Sequence, residues 1–184
     1  FTLIISCLYK GKILHISNSK SIYKNFFVRY FLGQKRCIIH NGFKIKSEKK
    51  IDKSNKNLSK DNINFLYVAR FSPEKGYDLL FKVLRNLKFN FCITLVGTGC
   101  STKNKVLIKY LKSLNCQYKL FESCDDLDTI FRENDYTLLF SRSEASPNVL
   151  VESMLQSTPC ISTPVGNSHE IINNYGWVTN DFKL

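Results

Sequence analysis

From residue 63 onward, β-rich runs alternate with segments of helical periodicity about every 25 residues, the rhythm of right-handed β-α-β units on a parallel sheet. Strands are predicted over 63–69, 91–96, 117–121, 136–140, 159–162 and 176–178. Helices are predicted over 77–87, 103–114, 125–132, 148–156 and 168–173. In such sheets ligands sit at the carboxyl ends of the strands, so the loops after Ala69, Val96, Phe121, Phe140 and Ser162 are the ones to search for chemistry.

The chain before residue 63 is different. A strand is predicted over 12–16, followed by the capping residues Ser17, Asn18 and Ser19. Ile22, Phe26, Phe27, Tyr30 and Phe31 then recur at helical spacing before Gly33, and a second strand over 36–40 closes at Asn41-Gly42. Between residues 44 and 62 the apolar content falls to Ile45, Ile51 and Leu58, which marks a basic linker. Three segments result: 1–43, the linker 44–62, and 63–184. Residues 1–62 carry 14 Lys and Arg against 3 acids, and residues 63–184 carry 13 against 12. An anionic partner is therefore sought in the first third, and a membrane-facing or hinge surface is expected there in preference to a nucleic-acid site. A solvated linker accounts for the same lysines.

Hydropathy and cysteine usage exclude several classes. The apolar run from Phe1 to Leu8 is too short to span a bilayer, and a mean hydropathy of -0.17 rules out a bundle of membrane spans. Seven cysteines without a C-x-x-C pair suggest neither a disulfide framework nor a zinc knuckle, and a reducing cytoplasm is the expected compartment. His15, His40 and His169 are far apart in sequence, so no metal site is expected. A start at Phe1 with Met154 as the one methionine suggests a piece of a longer chain.

Three loops carry candidate chemistry. Arg70-Phe71-Ser72-Pro73-Glu74-Lys75-Gly76 sets two cations at a strand end and before a helix N-terminus, a pattern suited to a diphosphate. Taken alone, it also fits a surface turn. Gly97-Thr98-Gly99 would let backbone approach a ligand, or simply form a tight turn. Glu144 and Glu152 flank a predicted helix start: carboxylates accept hydrogen bonds from vicinal diols, and the amides of Asn148, Val149 and Leu150 offer a phosphate seat.

These motifs, with Thr158-Pro159-Cys160-Ile161-Ser162-Thr163-Pro164-Val165-Gly166, follow one another in an order that resembles the group 1 (family 4) retaining glycosyltransferases of the GT-B fold. The segments 13–20 and 37–43 look like the last part of that family's N-terminal domain and its hinge. Asn167 stands where the family often has a second glycine, and Glu122-Ser123 where it usually has one.

The resemblance implies a Rossmann-like parallel sheet with helices on both faces, as the donor-binding C-terminal domain of an incomplete chain. Residues 1–43 would end the acceptor domain, 44–62 form the hinge, and 63–184 bind a nucleotide sugar, UDP-linked in the first instance and GDP-linked in the second. Arg70 and Lys75 would neutralise the diphosphate without a metal, and Glu144 would hold the transferred sugar. Gly97, Gly99 and the amides of Asn148, Val149 and Leu150 would line the donor, and Glu152 would hold the ribose. The acceptor would be a glycan or lipid-linked glycan at the inner face of the cell membrane, and the chain alone would bind donor better than it turns over. A GT-B-shaped epimerase or phosphorylase, and a non-enzymatic nucleotide- or nucleic-acid-binding module, stay open as alternatives.

Overall fold

The computed structural model describes residues 14–19, 35–43 and 62–179. The predicted helix over 21–32 and nearly all of the basic linker lie outside the described residues. Within them, β1 (Leu14–Ser17) and β2 (Lys35–Ile38) form a small parallel pair with Leu14 opposite Lys35. The Ile39 amide extends that ladder to the Ser17 carbonyl at 2.9 Å.

The main sheet contains β3 (Ile63–Val68), β4 (Phe91–Val96), β5 (Gln117–Phe121), β6 (Tyr136–Leu139), β7 (Cys160–Ser162) and β8 (Gly176–Val178), all parallel. Their order is β5-β4-β3-β6-β7-β8. The connections are α1 (Tyr77–Leu84), α2 (Lys105–Lys112), α3 (Leu127–Glu133), α4 (Asn148–Leu155) and α5 (Ser168–Ile172). Every predicted element from 63 to 178 is present. The helices are shorter by local chemistry: Asn104 accepts from the Leu107 amide and so starts α2 two residues late. Likewise Asp126 accepts from the Thr129 amide and starts α3.

Strand alternation sends side chains to two layers. Phe65, Tyr67, Ile93 and Leu95 join Leu80, Phe81 and Leu84 of α1 and Leu107 and Leu111 of α2 on one face. Leu66 and Val96 meet Ile130 and Phe131 of α3 on the other, while Leu139 packs with Leu150 of α4, Cys160 and Ile172 of α5. β4 is buried at every residue and β5, at the sheet edge, is mostly exposed, as an internal and an edge strand should be. The chain leaves β3 toward β4 on one side and reaches β6 on the other. The crevice of such a doubly wound sheet therefore opens above the carboxyl ends of β3 and β6.

Candidate active site

The loops that meet at that crevice are the ones after β3 and β6. After β3 the chain runs through Arg70 into a 3-10 turn, Pro73–Lys75, and ends at Gly76 with φ +64°, where α1 begins. A Cβ on Gly76 would sit 2.1 Å from the Phe140 carbonyl oxygen, so only glycine lets the two loops touch. Across this contact Lys75 Nζ donates to Glu144 Oε1 at 2.6 Å, from residues 69 positions apart. Ser141 Oγ donates to the same oxygen at 2.8 Å, and among the described residues Oε2 has no hydrogen-bond partner. Both side chains are largely buried, at 22% and 15% exposure, so this pair is held in a shielded environment rather than in bulk water.

The main chain of Lys75 is fixed from below. Tyr67, at 1% exposure, donates its hydroxyl to the Lys75 carbonyl, and burial pushes its phenol pKa well above the ordinary value. From the β6 side, Arg142 donates its amide to Glu74 O at 2.8 Å and Nη1 to Pro73 O at 2.9 Å. Its guanidinium also grips both oxygens of Asp78, at 2.8 and 2.6 Å. That hydrogen bonding holds the Asp78 carboxyl below the usual range. Arg142, Asp78, Ser141 and Tyr67 were not singled out from sequence. Arg142 and Asp78 lie 64 residues apart, and nothing local marks their pairing.

The two cations predicted for a diphosphate are both in the crevice loop, and each is paired with a carboxylate. Arg70 donates from Nε and Nη2 to Glu74 Oε1 at 3.1 and 2.6 Å, with 65% of its side chain exposed. The Glu74 carboxyl is lowered to about 2, first by its own main-chain N–H and then by Arg70. An exposed pair of this kind is worth little and exchanges partners readily.

Glu152 lies on α4. It is half-buried, and burial raises its carboxyl pKa, with the Asp128 charge adding to the shift. At the start of α4, Leu150 donates its amide to the Pro147 carbonyl at 3.2 Å. The amides of Asn148 and Val149 have no acceptor among the described residues. Asn148 Oδ1 accepts from Asn41 Nδ2 at 2.6 Å, which brings the segment after β2 to this helix start. Gly97 and Gly99 also lie at this edge, but their missing side chains make room for the protein itself. A Cβ at Gly97 would meet Ala69 O at 2.4 Å, and one at Gly99 would meet Phe71 Cβ at 2.9 Å.

A cavity of about 650 Å³ lies on the α4–α5 flank, lined by Val151, Met154, Leu155, Pro159, Ile171 and Tyr175. It offers no charged group to hold an anion, whereas the crevice does. Among the described residues no cluster of three or more His, Cys, Asp and Glu is placed to hold a metal ion. No helix there is long and apolar enough to cross a membrane.

Residues 48–181 match the group 1 glycosyl transferases, and the chain belongs to that family. It is 27% identical over 174 residues to the capsular polysaccharide biosynthesis glycosyltransferase CapH of Staphylococcus aureus, covering 91% of this chain and 46% of CapH. An uncharacterized glycosyltransferase of Methanocaldococcus jannaschii is 34% identical over 110 residues, covering 58% of this chain and 30% of that one. The crystal structure of Anabaena Alr3699/HepE with UDP and glucose superimposes with a TM-score of 0.69 at 25% identity, covering 90% of this chain and 49% of HepE. The chain thus spans under half the length of each of these relatives.

Proposed function

We propose that the chain is the donor-binding half of a retaining, family 4 hexosyltransferase. In this reading it takes a sugar from a nucleoside diphosphate and supports transfer to a glycan or lipid-linked acceptor in capsular polysaccharide or lipopolysaccharide synthesis. One observation carries the reading: the Lys75 ammonium and the Glu144 carboxylate meet at 2.6 Å over the switch point of a doubly wound sheet. The HepE complex with UDP and glucose supports UDP as the nucleotide, and CapH supports a polysaccharide product; GDP stays the second choice of this reading.

In this reading Lys75 bridges the ligand's two halves. An ammonium has three protons, so it can keep Glu144 and still donate to phosphate. Glu144 Oε2 accepts a hydroxyl of the sugar. Arg70 exchanges Glu74 for the diphosphate, the amides of Asn148 and Val149, with Leu150 beside them, face sugar or phosphate, and Glu152 takes the ribose diol. Gly97 and Gly99 shape the wall beside the diphosphate. As the bond to the sugar breaks, negative charge grows on the leaving diphosphate, and these fixed donors lower that barrier because they are already oriented. With those cations in place no metal is required. Residues 1–43 would close the acceptor side, 44–62 form the hinge and 63–184 the donor domain, working in the cytoplasm at the membrane's inner face.

Calorimetry with UDP, GDP and their monophosphates tests the site. UDP should bind more tightly than UMP, and Lys75→Ala should weaken UDP by about 1.5 to 3 kcal/mol while UMP changes less. Equal affinity for all four nucleotides in folded protein would sink the reading.

A further inference from the structure

The near-neutral balance of residues 63–184 conceals a separation of charge. Residues 79–121 contain eight Lys and Arg and no Asp or Glu, and residues 122–135 contain six acids and Arg132 alone among cations. The sheet divides these runs, since α1 and α2 cover one face and α3 the other. Lys82 and Arg85 follow one stripe of α1 into Lys88. Lys105, Lys109 and Lys112 recur at helical spacing on α2, with Lys103 just before them, and all seven are exposed. The helices lie side by side: Arg85 Nε donates to Ser113 Oγ at 3.1 Å, and the Phe81 and Tyr110 rings stack at 4.9 Å. Among the described residues, none of the seven forms an ion pair.

Helix stability does not explain this layer. Cations in a last turn complement the helix dipole, which covers Lys82, Lys109 and Lys112. Lys103 and Lys105 stand at the opposite end of α2, whose first turn has no acid, and Lys105 faces Lys109 one turn on. Both arrangements are unfavourable. Two large apolar side chains, Phe89 at 47% and Val106 at 57% exposure, stand among the lysines.

We propose that the α1–α2 face is the surface by which this protein sits on an anionic lipid bilayer, with the acidic α3 face turned to water. The charge is complementary, six of the seven cations are lysines suited to a diffuse surface potential, and the exposed Phe89 and Val106 can enter the headgroup layer. A nucleic acid would instead call for a groove with aromatic platforms. Because each helix starts at the carboxyl edge of the sheet, the crevice lies at the rim of this face and opens along the bilayer plane. A lipid-borne acceptor could reach it from the side. The attachment is independent of the donor-site reading.

Sedimentation of the full chain with vesicles tests it, using pure phosphatidylcholine and a mixture with about a quarter phosphatidylglycerol, at low and high salt. Binding should require the anionic lipid and fade with salt. Substituting Lys105→Gln, Lys109→Gln and Lys112→Gln together should lower binding about thirtyfold or more. Neutralising Lys82, Arg85 and Lys88 should do the same, so two separate variants guard against misfolding, checked by circular dichroism. Neutralising Lys49, Lys53 and Lys56, in the basic segment predicted as linker, should cost less than about threefold. The proposal is overturned if the wild-type chain ignores anionic vesicles, if the linker variant loses as much as the helix variants, or if single-stranded RNA binds more tightly than the vesicles.

Discussion

Arg142 and Asp78 form a two-pronged pair, guanidinium to carboxylate at 2.8 and 2.6 Å, that clamps the loop after β6 to the first turn of α1. Lys75 lies three residues before Asp78, at the end of the turn that leads into α1, and Glu144 two residues after Arg142. The pair is about half exposed, so its role is chiefly one of geometry.

Arg142→Ala should therefore lower stability only slightly, because an exposed pair is screened by solvent. UDP affinity should fall by several fold while UMP affinity changes little. Arg142→Lys should not restore it, because an ammonium cannot make the fork to Asp78. Urea melts and calorimetry on the same samples separate the two effects, and equal loss for UDP and UMP would reduce Arg142 to a structural residue.

The two carboxylates should be separable. Glu144→Gln removes the anion beside Lys75, so free UDP should bind as well or more tightly while a UDP-sugar loses its hydroxyl acceptor. Glu152→Gln should weaken UDP and the UDP-sugar together. Identical profiles for both variants would show that the sugar and ribose assignments are wrong.

Glu152 also links the site to pH. Its raised pKa means that the ionised form is disfavoured in the fold. That cost is fully present above the folded pKa and vanishes below the unfolded value. Glu152→Gln should accordingly raise the melting temperature at neutral pH, and the gain should shrink as pH falls through the carboxylate range. Melting curves from pH 3 to 8 (roughly the span over which a raised carboxyl titrates) would show this, and a constant gain would contradict it.

Gly76→Ala should be costly, since the new methyl would meet the Phe140 carbonyl at a backbone angle that L-residues rarely adopt. A loss of about 2 to 4 kcal/mol is expected from the clash and strain together. Because that contact seats the Lys75 loop on the Glu144 loop, UDP binding should fail even at temperatures where the variant is folded.

Between residues 63 and 178 element type was legible because burial periodicity is local. The run Phe91-Cys92-Ile93-Thr94-Leu95-Val96 reads as a strand, and its place inside the sheet buries it throughout. The helix predicted over 77–87 stops at Leu84. Lys75 and Glu144 could be nominated from the residues around them, as a cation before a helix start and an acid in a strand-end loop. Their meeting could not, because it depends on β3 and β6 being neighbours, and strand order is set by packing over distances that a local pattern does not encode. The same holds for the Arg142–Asp78 clamp, for Asn41 reaching Asn148 across 107 residues, and for the two loops whose backbones touch at Gly76. Local chemistry chose the elements and their candidate residues; the sheet's order of assembly decided which of those residues share one crevice.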